Sequence, residues 1–196
     1  MTPRFQTALA KLPLVAILRG VTPADAIAVA EALLAEDFDL IEIPLNSPEP
    51  FASIAAVRRL APSRAFVGAG TVLTVADVDA VAEAGGDLIV TPNTNPAVIA
   101  RARALGLLCL PGAATPSEAF AALAAGADGV KAWGAVLPKG TPILPVGGIT
   151  PDNMGPYVKA GAAGFGLGSA LYKPGDAAEA VRSNAAAFRA AWRALR

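Results

Sequence analysis

LVAILRGVTP, residues 14–23, is a short apolar run that ends at Arg19 and is followed by Thr22 and Pro23. An apolar run without strict alternation is typical of a parallel strand that is covered on both faces. A threonine before a proline is a typical helix start, because the hydroxyl accepts a backbone N–H and proline suits the first helical position. The stretch therefore predicts a strand, a tight turn and a helix.

The same unit recurs along the chain. Short apolar runs predict eight strands, at residues 14–19, 40–45, 65–71, 88–92, 107–111, 129–131, 143–147 and 164–168. Capping residues predict the helix starts between them, at Thr22, Ser47, Thr74, Asn95, Thr115 and Thr150, and glycines end several of the helices, at Gly85, Gly106, Gly126 and Gly161. Eight strands alternating with helices favour a single (β/α)₈ TIM barrel domain over residues 1–196. The alternative is a doubly wound open sheet, which usually carries a glycine-rich loop after its first strand; residues 18–22 lack one.

One interval is too short for this pattern. Only about 14 residues separate Gly129 from Ile143, whereas a crossover between parallel strands needs a dozen or more residues with its loops. Pro138 and Gly140 shorten the helical part further. Either the sixth crossover helix is truncated, or residues are missing from the chain at this point.

Composition excludes several classes of protein. The 196 residues are 54% hydrophobic and 16% charged, with no net charge, no histidine and one cysteine, Cys109. A single cysteine excludes disulfide scaffolds and cysteine-rich zinc sites, and we expect neither a metal nor a cofactor. No uncharged run is long enough to span a bilayer, and residues 1–11 lack the pattern of a signal peptide. We therefore predict a cytoplasmic protein without a membrane partner.

The charges also argue against a nucleic-acid partner. Sixteen basic residues balance sixteen acidic ones and neither sign forms a block, whereas nucleic-acid binders usually carry a basic stripe. The four arginines near the C-terminus are interpreted as the exposed face of a last helix: Arg182, Arg189, Arg193 and Arg196.

In a parallel barrel the active site lies at the carboxyl ends of the strands, where Arg19, Glu42 and Lys131 would converge. Lys131 follows the short run Ala-Asp-Gly-Val, and a desolvated lysine at a strand end is a nucleophilic amine. Most lysines are instead solvated surface groups. Glu42 interrupts an apolar strand, so its carboxylate must pair with a cation or carry a raised pKa. The alternative for Glu42 is an ion pair that only steadies the barrel.

Two glycine-bearing turns follow the last two predicted strands. Gly147 and Gly148 come after the seventh, and Gly168 and Ser169 after the eighth. These two loops hold phosphate in many barrels, because glycine lets backbone N–H groups approach an anion. The alternative is that the glycines only make tight turns. We favour a phosphate site.

Several motifs together resemble one enzyme family. They are KLPLVAILRGVTP, IEIPLNSP, VGAGTVL, LIVTPN, PGAATPSEA and PVGGITPDN, and they lie between Lys11 and Asn153. The chain resembles the 2-keto-3-deoxy-6-phosphogluconate/galactonate aldolases from about Lys11 to Pro174. The resemblance implies a (β/α)₈ barrel, usually a homotrimer, that cleaves a phosphorylated 2-keto-3-deoxy sugar acid to pyruvate and glyceraldehyde 3-phosphate through a lysine Schiff base.

By this resemblance each candidate residue has a role. Lys131 matches the Schiff-base lysine and Glu42 the acid/base glutamate, while Arg19, Thr71 and Pro92 contact the substrate. Gly148, Gly168 and Ser169 match the phosphate site. Asn46 and Ser47 look like the galactonate branch of the family, whose gluconate branch carries arginine and threonine there.

The chain departs from the family after Lys131, where the usual phenylalanine-proline turn and about a dozen residues are lacking. Lys131 is thus the catalytic lysine, or a helical lysine brought beside Val130 by the gap. The hypothesis is a class I aldolase for 2-dehydro-3-deoxy-6-phosphogalactonate. The alternatives are the gluconate epimer as substrate, a phosphosugar isomerase or synthase that uses Glu42 as base, and a catalytically impaired phosphate-binding barrel.

Overall fold

The computed structural model describes residues 2–61, 63–131 and 137–196. Within these ranges six strands form one parallel sheet in the order β5-β4-β3-β2-β1-β6. The strands are β1 (Leu14–Ile17), β2 (Leu40–Pro44), β3 (Phe66–Gly70), β4 (Leu88–Thr91), β5 (Leu108–Pro111) and β6 (Phe165–Leu167). The helices are α1 (Pro3–Lys11), α2 (Pro23–Ala35), α3 (Pro50–Leu60), α4 (Val75–Glu83), α5 (Pro96–Ala104), α6 (Pro116–Ala124), α7 (Met154–Lys159) and α8 (Ala178–Ala194).

Two segments predicted as strands are present only as isolated bridges. Gly112 bridges Lys131, Val130 bridges Ile143, and Val146 bridges Gly166, all in parallel. These bridges link the β5 edge of the sheet to the β6 edge. The structure thus has a curved six-stranded parallel sheet, and it does not give residues 129–131 and 143–147 the regular pairing that the sequence predicts for an eight-stranded TIM barrel. The predicted truncation of the sixth crossover falls partly on residues 132–136, which lie outside the described residues.

The sheet has two buried faces, and side chains alternate between them. An outer cluster faces the helices and includes Ile41 and Ile43 of β2. An inner cluster contains Val15, Leu40, Phe66, Leu88, Val90, Leu108, Leu110 and Leu144, with Phe5 and Ala8 of α1 packed against them. Burial on both faces explains why the strands are apolar runs rather than alternating ones.

Helix α1 was not predicted from the sequence. Thr2 caps it, its Oγ1 accepting the Phe5 N–H at 3.3 Å, and Pro3 occupies the first turn. Phe5 is fully buried and meets the Phe66 ring edge to face at 6.1 Å. The helix therefore closes the inner space at the amino ends of the strands.

The predicted caps Thr22, Thr74, Asn95 and Thr115 are confirmed, since each side chain accepts a backbone N–H of the helix it precedes. Two others are wrong. Ser47 is buried and its Oγ accepts the Gly20 N–H at 2.9 Å, so α3 begins later, after Glu49. Helix α7 begins at Met154 and not after Thr150, because Asn153 Oδ1 accepts the Thr150 N–H and holds the intervening residues in a turn.

Three of the C-terminal arginines, predicted as an exposed face of the last helix, form ion pairs with another helix end. Arg182 and Arg189 contact Glu36 at 3.2 and 2.8 Å, and Arg193 contacts Asp37 at 3.2 Å. These ion pairs join α8 to the end of α2. In the described part of the chain, no helix is long and apolar enough to cross a membrane.

Candidate active site

Glu42 and Lys131 lie on the inner face of the sheet because of strand alternation. Glu42 stands between Ile41 and Ile43, which both point outward into the helices. Lys131 follows Val130, which also belongs to the outer cluster. Both side chains line one small inner space of about 10 Å³. The structure therefore brings the two predicted catalytic residues together.

The Glu42 carboxyl group is enclosed. It is 4% exposed, and Oε2 has no hydrogen-bond partner among the described residues. Burial raises the pKa of Glu42 to about 7, against the opposing effect of the Lys131 and Arg19 charges. A carboxyl group with this pKa holds and releases a proton at neutral pH, as a general acid/base requires.

Gly70 leaves room for the Glu42 carboxyl group, and this relation is not predicted from the sequence. A Cβ atom at Gly70 would overlap Glu42 Oε2, and its next neighbours would be the rest of the same carboxyl group. Glu42 pairs in register with Gly68, and its side chain extends along the strand direction towards Gly70. Only the register between β2 and β3 reveals this relation.

Lys131 is held by backbone bonds to the neighbouring strand end. Its N–H donates to the Pro111 carbonyl at 2.9 Å, and its carbonyl accepts the Ala113 N–H at 3.1 Å. Burial lowers the pKa of Lys131, Glu42 opposes that change, and Arg19 adds to it. A lysine with a lowered pKa supplies the neutral amine needed to attack a carbonyl group.

Arg19 lies at the exposed end of the same inner face. Its Nη1 donates to Asn46 Oδ1 at 2.8 Å, so the second residue after β2 orients the guanidinium group. The residue that follows each of these two is also bonded to its counterpart, since the Gly20 N–H donates to Ser47 Oγ. Arg19 acts on Glu42 and Lys131 through its charge.

Thr71 and Pro92 follow β3 and β4 at the carboxyl edge. Thr71 is half-buried and has a φ of 58°, which is uncommon for a residue with a branched side chain and is often found at functional sites. Pro92 is exposed and lines a larger cavity that also reaches Lys131. Both stand where the sequence predicts them.

The candidate phosphate loops lie at the same edge, with Gly147, Gly148 and Ser169 exposed and Gly168 half-buried. Gly147 and Gly148 have φ values of 103° and 65°, which favour glycine. The Gly148 carbonyl accepts a hydrogen bond from Asn153 Nδ2 at 2.7 Å, so the loop is fixed to the start of α7. Gly168 and Ser169 follow β6. Of the four, only Gly147 lines a cavity together with Lys131.

A side cavity of about 440 Å³ opens beside Lys131. It reaches from Pro92 and Gly147 to Tyr157 and the residues that follow α7. This cavity is not predicted from the sequence. Its described lining residues are Pro92, Gly112, Ala113, Ala114, Lys131, Ile143, Pro145, Val146, Gly147, Ile149, Tyr157, Ala160, Gly161 and Ala162. Among the described residues, no group of three or more acidic, cysteine or histidine side chains is placed to bind a metal ion.

Comparison with known proteins gives one consistent set of relatives. The family model for KDPG and KHG aldolases matches residues 5–184. The chain is 47% identical to the probable 2-dehydro-3-deoxy-6-phosphogalactonate aldolase of Rhizobium meliloti, over 93% of this chain and 92% of that protein. It is 46% identical to the 2-dehydro-3-deoxy-6-phosphogalactonate aldolase of Escherichia coli, over 93% and 96%. The solved native KDPGal structure superposes with a TM-score of 0.92 at 46% identity, covering 94% of this chain and 96% of that one.

Proposed function

The chain belongs to the KDPG and KHG aldolase family, and on this premise we propose that it is a class I aldolase. The proposed substrate is 2-dehydro-3-deoxy-6-phosphogalactonate, which two relatives of nearly full coverage are named for. The products are pyruvate and D-glyceraldehyde 3-phosphate. The observation that carries the proposal is the burial of Glu42 and Lys131 against one inner space.

Lys131 supplies the covalent step. Its neutral amine attacks the C2 ketone and a C–N bond forms; the ketone oxygen takes one proton from the amine and one from the solvent, and leaves as water. The resulting iminium withdraws electrons from the C3–C4 bond. The lowered pKa of Lys131 favours this step, because a larger share of the amine is unprotonated at neutral pH.

Glu42 moves the proton. As a carboxylate it accepts the C4 hydroxyl proton while the C3–C4 bond breaks and the aldehyde departs. It then returns a proton to C3 of the enamine, and water hydrolyses the imine to release pyruvate. A pKa of about 7 suits both directions of transfer.

The remaining predicted residues position the substrate. Arg19, oriented by Asn46, supplies a cation for the substrate at the mouth of the inner space, where Thr71 and Pro92 also stand. The turns at Gly147–Gly148 and Gly168–Ser169 would hold the phosphate through backbone N–H groups and a hydroxyl group. Fixing both ends of the sugar acid places its reacting bond over the amine.

The isolated bridges support a finer description of the fold. We propose that residues 129–131 and 143–147 act as short sixth and seventh strands, so that one domain closes into a (β/α)₈ barrel. We also propose that three copies assemble, as the family resemblance implies, and that the protein works in the cytoplasm. Exposed apolar side chains such as Leu73 and Phe120, 48% and 46% accessible, support self-association. Light scattering should give a mass three times the 19.6 kDa of the chain.

Trapping with borohydride and a coupled pyruvate assay test the function. Pyruvate and borohydride should add one 1-carboxyethyl group at Lys131, and Lys131→Met should abolish both the adduct and turnover. Lys173→Met, which changes an exposed lysine after β6, is the matched control and should leave both intact. Assays on the galactonate and gluconate epimers should favour the galactonate. An unmodified Lys131 or an inactive folded protein would contradict the proposal and favour the impaired phosphate-binding barrel.

A further inference from the structure

The turn after β4 is bonded to the turn after β5 through the side chain of Thr94. Its Oγ1 donates to the Gly112 carbonyl at 2.9 Å, and the Glu118 carbonyl lies farther away, at 3.4 Å. A hydroxyl group has one hydrogen to donate, so the shorter contact takes it. Thr94 is half-buried and Gly112 is buried. The bond is thus partly shielded from water, and it lies at the carboxyl edge of the sheet.

Two consecutive peptide groups connect the end of β4 to Lys131. The first joins Pro111 to Gly112. Its N–H donates to the Thr91 carbonyl at 3.0 Å, and its carbonyl accepts the Lys131 N–H at 2.9 Å. Thr91 is the last residue of β4, so this first connection belongs to the sheet.

The second peptide group joins Gly112 to Ala113. Its N–H donates to the Lys131 carbonyl at 3.1 Å, and its carbonyl accepts the Thr94 hydroxyl group. Thr94 lies three residues beyond the end of β4, so its side chain continues the pairing after the strand itself has ended. Hydrogen bonds at the two ends of one peptide group polarise and strengthen each other. The Thr94 hydroxyl group is therefore linked through one peptide group to the backbone of Lys131.

The backbone of Lys131 depends on such bonds more than a residue in a regular strand does. Its segment pairs through single bridges, from Lys131 to Gly112 on one side and from Val130 to Ile143 on the other. A rotation of its peptide groups would swing the side chain, whose amine must meet the substrate carbonyl group beside Glu42. Misplacement of a reacting group by about 1 Å can cost about 100-fold in rate. A bond that fixes this backbone therefore affects the attack by the amine.

The turn that carries Thr94 is itself held in place. The Thr91 hydroxyl group donates to the Asn93 carbonyl, and the Asn95 side chain caps α5. Residue 112 must be glycine for the two turns to approach each other, because a Cβ atom there would lie 2.2 Å from a carbonyl oxygen of this turn. Thr94 thus presents its hydroxyl group from a turn that is hydrogen-bonded before and after it.

We propose that Thr94 is a positioning residue for Lys131: its hydroxyl group holds the peptide group between Gly112 and Ala113, and this peptide group holds the Lys131 backbone. The proposal rests on the function above. Thr94 acts through the backbone and not on the substrate. The covalent step stays that of Lys131, and the proton transfer stays that of Glu42.

Loss of the bond should change the protonation of the amine. Burial lowers the pKa of Lys131, Glu42 opposes that change, and Arg19 adds to it. When the segment relaxes, the amine moves out of the inner space that it shares with Glu42 and water reaches it. Its pKa then rises, because the largest cause of its lowering is weakened. The pH at which half of the amine is reactive should therefore move upward.

Thr94→Val tests the proposal on the full chain, because valine keeps the shape of the side chain and cannot donate a hydrogen bond. The initial rate of imine formation with pyruvate, sampled by borohydride quenching, should reach its half-maximal value at a higher pH than in the unaltered protein. In the pyruvate assay kcat should fall about tenfold, with KM within about twofold. Thr94→Ser keeps the hydroxyl group and should restore both.

Thr74→Val is the matched control. It removes a threonine hydroxyl group that caps α4, in the turn after β3, and that makes no bond to the turn after β5. It should lower the urea midpoint and leave kcat and the pH profile unchanged. If Thr74→Val shifts the profile as Thr94→Val does, a general loss of stability explains both and the proposal is overturned.

Amide hydrogen exchange tests the connection independently of activity. The Ala113 N–H should exchange about fivefold faster in Thr94→Val than in the unaltered protein, the factor that one lost hydrogen bond predicts. If Thr94→Val does not fold, Thr94→Ala removes the same hydroxyl group without a branched side chain, and both measurements are made on it. Unchanged exchange at Ala113 would overturn the proposal.

The remaining outcomes separate this inference from the proposed function. Faster exchange at Ala113 with an unchanged kcat and pH profile would overturn the inference and leave the function standing, because Thr94 would then only join two turns. If the unaltered protein forms no imine and shows no turnover, the proposed function itself fails, and the kinetic role of Thr94 fails with it.

Discussion

Glu42 and Lys131 face each other from regions that are built very differently. Glu42 sits in a five-residue strand with five register pairs to β3 and complete burial on both faces. Lys131 sits in a segment with single bridges to Gly112 on one side and, through Val130, to Ile143 on the other. The carboxyl group thus has a regular sheet behind it, whereas the amine depends on a few backbone bonds.

The two kinds of strand pairing have different consequences for the candidate site. The regular half of the site is the paired β2 and β3. There the carboxyl group lies so close to β3 that residue 70 must be glycine. The irregular half is the pair of segments at residues 129–131 and 143–147, and it leaves a cavity beside the amine. The predictions below disturb one half and use the other as the reference.

The largest effect is expected from Glu42→Gln. The amide keeps the shape of the side chain but cannot accept the C4 hydroxyl proton, so kcat should fall about 10²- to 10⁴-fold. Schiff-base trapping at Lys131 should persist, because the amine does not need Glu42 as its proton acceptor in that step. The pyruvate assay and the mass of the trapped protein measure the two effects. Equal loss of trapping and turnover would mean that the two halves act as one unit.

A smaller effect is expected from Gly70→Ala. The new methyl group occupies the place of Glu42 Oε2 and displaces the carboxyl group, and misplacement by about 1 Å can cost about 100-fold in rate. We expect a loss of about 10- to 100-fold in kcat, together with an altered pH profile.

Gly166→Ala is the matched control for that change. It adds a methyl group to the same inner face, but its nearest neighbour is the side chain of the exposed Val146 rather than Glu42. Its pH profile should therefore stay that of the unaltered protein. An unchanged profile in Gly70→Ala would contradict the assigned role of Gly70.

The pKa of Glu42 makes stability depend on pH. Its folded value of about 7 lies above the ordinary 4.5, so the folded state binds more protons than the unfolded state between these values. The contribution is fully present below pH 4.5 and is lost as pH rises towards 7, by up to about 3 kcal/mol. Urea unfolding from pH 4.5 to 7 should show a decline that Glu42→Gln lacks. Parallel curves for the two proteins would exclude a raised pKa.

The last prediction compares one isoleucine from each half. Ile41→Ala removes a fully buried side chain of β2 and should cost about 4 kcal/mol, whereas Ile143→Ala should cost about 2 kcal/mol because Ile143 already borders the side cavity. Equilibrium urea unfolding measures both. A larger loss for Ile143→Ala would reverse the proposed contrast between the halves.

Local patterns predicted the regular half well. The apolar runs and threonine caps depend on neighbouring residues only, so β1 to β5 and the caps at Thr22, Thr74 and Thr115 could be found in the sequence. Alternation along β2 was sufficient to place Glu42 on the inner face. Ser47 and Thr150 carry the same cap motif, but the predicted helix starts were wrong. The Ser47 hydroxyl group accepts a tertiary hydrogen bond from Gly20, and a local bond from the Thr150 N–H to Asn153 holds residues 150–153 in a turn.

The rest depends on how distant segments meet. The role of Gly70 depends on the register between two strands, and the side cavity depends on five segments that are far apart in sequence. Helix α1 was not predicted, although Thr2 and Pro3 repeat the cap-and-proline motif that predicted other helices. The roles of the predicted site residues stay predictions until the variants above are measured.

Helix α1 covers the inner face of the sheet at one end and leaves the other end as the way in and out. Phe5 and Ala8 pack against the inner face of the sheet at the amino ends of the strands, so a ligand near the amine cannot pass out in that direction. When a bond breaks and one fragment stays joined to the lysine, the free fragment is the one closer to bulk water. In the proposed reaction the three-carbon acid stays bonded to Lys131 while the aldehyde departs, and both products have to leave at the carboxyl ends of the strands.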